Sequence, residues 1–426
     1  MKRKVNVWLF ILYFAIALIA PVSTIAQSDN YRQVDLVSNV PGLALNIDHA
    51  LVNPWGIAGA PGQAFRIVNN TNGSFTKYDP TGAQELFGAR IATPAGATSI
   101  PHPTGVAANP TSLFVAPGSL TSPFLFSTEE GTISGEYADA NGNILLTSIL
   151  VVDNSSRGAV YTGLAVLTPD CCAPFLAVAD FHGGFIDTFT GSFDPLGIPG
   201  AFTDPDLPAG YAPYNLSVIE NQVFVLYAPQ DAAGHSPVTG AGNGIVDIYD
   251  LDGTFVRRFA AGGPLNVKWG IVKSSSNFAA FSNDILIGNS GDGIIHAFDP
   301  ATGQFLGSLK DGNGNVIVNL NLHGLVFGAE SPGDADTLYL TAELAAGVDG
   351  VFGAISVNTG SAGPDFSLNA SSNSATVMAG QSATFMLTAT PIADFRGIFS
   401  FSCAAPAGVT CTIGQTTVDQ EPQHQA

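Results

Sequence analysis

A Gly followed by an aliphatic residue opens a short apolar run at Gly56 (WGIAGA), Gly105 (TGVAAN), Gly163 (TGLAVL), Gly270 (WGIVKS) and Gly324 (HGLVFG), and Asn215 holds the same place in YNLSVI. The successive intervals are 49, 58, 52, 55 and 54 residues. A period near fifty residues restricts a chain to stacked or ring-like repeats, each unit too small to bury its own apolar faces.

Each unit continues with a second apolar run (FRIV, LFVA, FLAVAD, VFVLYA, ILIGNS, LYLTA). A third follows and often ends in an Asp-Gly or Thr-Gly turn (FTKYDPTG, TISGEYADANG, FIDTFTG, IVDIYDLDG, IIHAFDPATG, FGAISVNTG). Most units add a fourth, as in QELFG, NILLTSIL, TFVRRFA and QFLGSL. The alternation in IVDIYD and IIHAFD is that of strands, and DLDGTF and DPATGQF carry the Asp, Pro and Gly of hairpin turns. Four short strands repeated six times predict an all-β fold, a six-bladed β-propeller over residues 31–360. The sixth unit lacks a fourth strand, and YRQVDLVSN at 31–39 has no blade of its own. It is expected to pair onto FGAISV and close the ring.

Composition agrees. With 48 Gly, 27 Pro and 28 Phe in 426 residues, turn formers and core residues are plentiful, and 46% hydrophobic content argues against disorder. The start of the chain carries Lys2, Arg3 and Lys4, a largely apolar run from Val5 to Ala20, and small residues at Thr24 and Ala26 before Gln27. Residues 1–26 therefore read as a secretory signal peptide, a retained membrane anchor being the alternative. Cleavage leaves no expected membrane span and predicts a secreted, periplasmic or cell-surface protein. It also takes the net charge from −20 to about −23. So acidic a surface repels phosphate backbones, which excludes nucleic acid as a partner.

The four cysteines fall into two pairs. Cys403 and Cys411 flank a turn-like stretch and are expected to be bridged in an exported chain. The adjacent Cys171 and Cys172 are expected to be reduced and partly buried. From about Pro364 the pattern changes to alternating strands with turns every eight to twelve residues. Residues 364–418 resemble the Ig-like modules appended to secreted bacterial proteins, here a small, partial β-sandwich too short for the usual seven strands. Residues 419–426 form a polar tail.

The blades themselves resemble a family of secreted bacterial six-bladed propellers. The matching phrases include NPWGIA (53–58), STEEGTISGEY (127–137), ADFHGGFIDTF (179–189), FTDPDLPAGYAPYNL (202–216), GNGIVDIYDLDG (242–253) and GNSGDGIIHAFDPATG (288–303). The family's Pro-Trp-Gly becomes Lys268-Trp269-Gly270 in the fifth unit, and Leu322-His323-Gly324 stands in the last. The resemblance implies fold and export, and no reaction.

Propeller ligands sit where loops converge on the axis. By repeat position those loops carry Asn53, His102, Asn215, Asn266 and His323 before inner strands, and Glu129, Glu130, Asp180, His182, Asn289 and Asp292 elsewhere. Histidines with carboxylates suit a divalent metal, and Asn with carboxylates suits Ca²⁺. Tyr211 and Tyr214 suit a sugar ring or peptide. The candidate ligand-binding set is Asn53, His102, Glu130, His182, Tyr211, Tyr214, Asn215 and His323. For each, the competing reading is that it satisfies the scaffold's own hydrogen bonds or packing. There is no G-x-S-x-G and no H-E-x-x-H, and DGNGN (311–315) reads as a hairpin turn. The first functional reading is a monomeric binding or interaction scaffold with a glycan or protein ligand on a loop face. The alternative is a metal-dependent lactonase- or lyase-like enzyme at the axis, an analogy from fold alone.

Overall fold

The computed structural model describes residues 30–116, 118–138, 145–328, 333–344 and 347–358, and in the C-terminal stretch four short strands with a few single positions between them. Residues 1–26 and the pair Cys403 and Cys411 lie outside the described residues.

The chain opens with β1 (Tyr31–Ser38) and a short β2 (Asn46–Ile47). Blade one is β3 (Pro54–Ala60), β4 (Gln63–Asn69), β5 (Ser74–Tyr78) and β6 (Gln84–Arg90). Blade two is β7 (Pro103–Ala108), β8 (Phe124–Thr128), β9 (Thr132–Glu136) and β10 (Ile149–Asp153). Blade three has only β11 (Tyr161–Leu167), β12 (Phe175–Asp180) and β13 (Phe185–Thr190). Blade four is β14 (Tyr211–Ile219), β15 (Gln222–Pro229), β16 (Ile245–Asp250) and β17 (Phe255–Ala261). Blade five is β18 (Lys268–Lys273), β19 (Ile285–Asn289), β20 (Ile295–Phe298) and β21 (Phe305–Ser308). Blade six is β22 (Leu322–Phe327), β23 (Leu338–Glu343) and β24 (Gly350–Val357), completed by β1. The inner strands β3, β7, β11, β14, β18 and β22 touch in that order, and β22 returns to β3. The six sheets form a closed propeller.

Within a blade the strands are antiparallel neighbours, so alternate side chains face the two adjoining blades. In blade four Val246 and Ile248 join Phe224 and Leu226 against blade five. Tyr249 joins Val223, Val225 and Tyr227 against blade three. Both faces are therefore buried, which is why these strands read as nearly continuous apolar runs. The few charges between blades are grouped. Arg66 and Lys77 both bind Glu136 between blades one and two, the Arg66 contact at 2.9 Å. In blade four Arg258 binds Asp247 at 3.1 Å and also binds Asp204, beside the Tyr227–Tyr249 hydroxyl pair at 2.7 Å. Burial pushes the Asp247 carboxyl up to about 7; the Arg258 hydrogen bond opposes the shift and the neighbouring Asp204 charge adds to it.

The repeated glycine explains the ring. A Cβ on Gly270 would stand 2.5 Å from His323 O of blade six. At Gly163 the space for a Cβ is already filled by the Asn215 side-chain oxygen of blade four. The inner strands thus approach backbone to backbone, and only a glycine, or an Asn that reaches onward, fits that slot. Asn215 does reach onward: its Nδ2 donates to Trp269 O of blade five at 2.5 Å.

The expected closure is present. β1 pairs antiparallel with β24 from Tyr31↔Val357 to Ser38↔Val351. Three strand expectations need correction. Blade three has three strands rather than the four expected of each unit. LFVA (113–116) is not the second strand of blade two; β8 is. Phe114 sits at φ 61°, a left-handed conformation that cannot continue a strand, and Val115 makes only an isolated bridge. The fourth strand takes only the last two residues of NILLTSIL and starts at Ile149, because Leu146 and Ser148 bond instead to Arg90 of blade one. The phrase FTDPDLPAGYAPYN is irregular only in its first half, since Tyr211 begins β14, with a bulge between Pro213 and Asn215. DGNGN is a hairpin turn, Asp311 accepting from the backbone of Asn313 and Asn315.

Cys171 and Cys172 are free thiols but exposed, correcting the expected partial burial; they lie on the β11–β12 turn with sulfurs 2.7 Å apart. In the C-terminal stretch β25 (Asp365–Ala370) pairs with β26 (Leu387–Ile392), and β27 (Ile398–Ser400) with β28 (Thr417–Asp419). Among the described residues no helix is long and apolar enough to cross a membrane.

Candidate functional site

In an up-and-down blade the start of the first strand and the turn between the second and third strands lie at one end. Six such pairs of loops make one mouth of the axis. Blades one and two supply its best-defined polar cluster. Asn53, just before β3, adopts φ 47°, which Asn tolerates better than most residues. Its Nδ2 donates to Asn70 Oδ1 at 3.4 Å and Thr71 Oγ1 at 3.2 Å, and its Oδ1 accepts from Trp55 Nε1 at 2.9 Å. Asn70 in turn donates to Pro103 O at 3.3 Å and to Glu129 Oε1 at 3.5 Å. His102 pairs with Glu130: ring Nδ1 to Oε1 is 2.6 Å, and the His102 backbone N–H donates to Oε2 at 3.0 Å. Burial pushes the Glu129 carboxyl above its ordinary value, against the opposing pull of His102 and His235.

The floor beneath is aromatic. Trp55 stacks on His323 with centroids 4.4 Å apart, and Trp269 meets the same imidazole edge-on at 6.2 Å. Trp269 Nε1 reaches from blade five to donate to Thr162 O of blade three at 3.0 Å. His323 is buried, and burial pushes its pKa down to about 3, so the imidazole is neutral. Among the described residues its Nδ1 has no hydrogen-bond partner.

The structure brings together three of the eight candidates: Asn53, His102 and Glu130. His182 is exposed on the β12–β13 turn, its carbonyl accepting from Gln230 of blade four. Tyr211 is half-buried against the apolar cluster shared by blades three and four. Tyr214 is buried edge-to-face on Phe181, with centroids 5.0 Å apart. Asn215 and His323 belong to the ring and its floor. The polar groups of blade five are spent on one another: Asn266 and Asn289 both donate to Asp292, at 3.3 and 3.2 Å. Among the described residues no group of three His, Cys, Asp or Glu side chains stands together as metal ligands do. The candidate set lacked Asn70, His235 and Glu129, the last of which was read only as one of the wider loop residues. Asn70 was findable, because NNTNG occupies in blade one the turn that TEEG occupies in blade two. His235 comes from a long loop with no repeat register.

Six sheets around an axis, zipped by the N-terminal strand, define a six-bladed β-propeller. No protein-family model matches the chain. It is 34% identical over 330 residues to the uncharacterised protein R648 of Acanthamoeba polyphaga mimivirus, covering 75% of this chain and 78% of that one. Its identity to the uncharacterised protein L690 of the same virus is 31% over 335 residues, covering 75% and 84%. To the uncharacterised protein R640 it is 31% over 332 residues, or 76% of this chain and 59% of that one. The chain belongs to the family of these mimivirus proteins. Among solved structures it is similar to the apo soluble aldose sugar dehydrogenase of Escherichia coli, with TM-score 0.49 and 11% identity over 77% of this chain and 100% of that one. The virginiamycin B lyase of Staphylococcus aureus gives TM-score 0.41 and 11% identity, over 79% and 92%.

Proposed function

We propose that the protein is an exported binding propeller that takes its ligand at the axial mouth. The supporting observation is a contrast within one ring. Asn215 and Trp269 are spent on neighbouring blades, and Asn266 and Asn289 on Asp292, whereas the side chains of His102 and Glu130 stand 46% and 21% exposed. The hydrogen bond that Glu129 accepts from Asn70 is a long one. Accepting carboxylates beside an imidazole suit a ligand rich in hydroxyl or ammonium donors. Export rests on the signal-like residues 1–26.

The test is a melting screen of the purified chain against divalent cations, amines and soluble glycans, repeated on Glu129→Gln and His102→Ala. The expected result is a compound that raises Tm in the wild type and fails to do so in these variants. A screen in which nothing acts, or in which every stabilising compound acts equally on the variants, sinks the reading.

An enzymatic reading has one observation in its favour. The Glu129 carboxyl, raised by burial and bordered by two histidines, has the setting of a general acid. A metal-dependent form of it calls for a further donor at the His102–Glu130 pair. Elemental analysis of the chain, with melting in Ca²⁺ and in chelator, separates the two: stoichiometric metal and a lower Tm in chelator favour the enzyme.

A further inference from the structure

Blade three ends at β13, and where other blades place a fourth strand it leaves a cleft of about 380 Å³. That volume lies within the range of small-molecule sites, roughly 300–1,000 Å³. One side is apolar, formed by Phe185, Ile198 and Phe202. The other is polar. Arg157, from the short 3₁₀ turn Ser155–Arg157, lies over the Phe185 ring at 5.6 Å and binds Asp187. Tyr161 donates its hydroxyl to Asp187 Oδ2 at 2.6 Å, and Asn154 donates to the Tyr161 oxygen at 2.6 Å. Asp180, fully buried, stands 3.4 Å from Arg157 and accepts backbone N–H groups of Val160 and Gly183.

The charges and the strand edge restrict what fits. Asp187 in the wall, and Asp180 buried behind it, oppose one guanidinium, so an anion meets net repulsion, while Arg157 guards Asp187 against a cation. An added peptide strand finds too little ladder. Asp194–Leu196 already covers Thr188–Thr190 through Leu196 N–Thr188 O and Thr190 N–Asp194 O, each 2.8 Å. What remains of the β13 edge, residues 185–187, is at the very bottom of the roughly 3–10 residues a strand occupies. A neutral ring with hydroxyls that both donate and accept, and with an apolar face for Phe185, satisfies both walls. Phe185 is 45% exposed and available for that contact.

We propose that this cleft binds a neutral sugar ring, presented by a glycan, against the exposed part of Phe185, with its hydroxyls reaching the Arg157–Asp187 pair. The site is separate from the axial mouth and does not depend on it. The test applies the labelled full chain to an array of neutral and acidic glycans. The best-retained neutral glycan is then titrated against wild type, Phe185→Ala, Arg157→Ala and Glu129→Gln. Retention of a neutral glycan, weakened tenfold or more in Phe185→Ala with an unchanged Tm, is the expected result. Because Arg157→Ala disturbs the buried Asp180, the exposed Phe185 carries the decision. Retention of acidic glycans alone, or of none, overturns the proposal. So does binding indifferent to Phe185→Ala, or binding lost in Glu129→Gln instead, which would put the glycan on the axis.

Discussion

Blades three and four are built from nearly the same parts and end differently. In each, the third residue of the third strand is an aspartate, Asp187 or Asp247, accompanied by a tyrosine, an arginine and a second aspartate. In blade four the arginine comes from the fourth strand, where Arg258 lies directly across from Asp247 in the β16–β17 register. In blade three there is no fourth strand, and Arg157 reaches in from the turn that precedes the blade. The same electrostatic need is met by a neighbour in the sheet in one case and by a connecting turn in the other. A sheet neighbour closes the cluster, whereas a turn leaves it open to solvent. Openness rather than residue type therefore separates a structural ion cluster from a site.

The hub where these two blades meet gives the largest expected effect. Gly163→Val forces a side chain into the space of the Asn215 amide and should destabilise the protein by about 3 kcal/mol or prevent folding. Denaturant unfolding measures it. Paired with Asn215→Gly, a Gly163→Ala change should recover part of its own cost, and strict additivity of the two would break the account of the slot. Next come the arginines. Arg258→Ala leaves Asp204 and Asp247 buried without their cation and should cost about 3 kcal/mol. Arg157 is 38% exposed against 31% for Arg258, but of its two carboxylates only Asp180 is fully buried, so its removal should cost less, about 1 kcal/mol. Equal losses would erase the distinction between the blades.

A further expected effect is on pH dependence. Asp247 holds its proton up to about 7 in the folded chain against 3.8 for the ordinary group. The folded state binds more protons within that window. Stability from this group is therefore present below about pH 3.8 and is lost as pH rises through about 7. Asp247→Asn should flatten that part of the Tm–pH curve. The same shift direction at Asp187 predicts the same sign of slope for blade three. An unchanged curve in Asp247→Asn would count against the buried, proton-holding carboxyl.

Much of the fold was legible because the glycine slot recurs wherever an inner strand meets the next blade. The second strand of blade two was not legible. LFVA is apolar at every position and FLFST is not, and the left-handed backbone at Phe114, a product of its tertiary surroundings, disqualifies the first. At the axial mouth, His102 and Glu130 could be placed by repeat position alone. Tyr214 and Asn215 fall one residue before and at the glycine position, inside the inner strand rather than in the loop that precedes it, and are buried. The blade-three cleft was beyond reach of the sequence. It arises from a strand that is missing, and its arginine comes from a three-residue turn with no counterpart among the repeats.

The pairing of β1 with β24 also sets an order of events. Ser38 donates its hydroxyl to Gly350 O across 312 residues of chain, the two ends of one ring held in a single sheet. Closing so long a loop adds only a slowly growing, logarithmic entropy cost, but it waits until the last blade exists. During synthesis the first strand emerges before any partner for its edge has been made, and the ring stays an open arc until the last blade is finished. The seam that makes the finished ring continuous is therefore the last to close, and it is the one place where the ring opens without parting a covalently linked pair of blades.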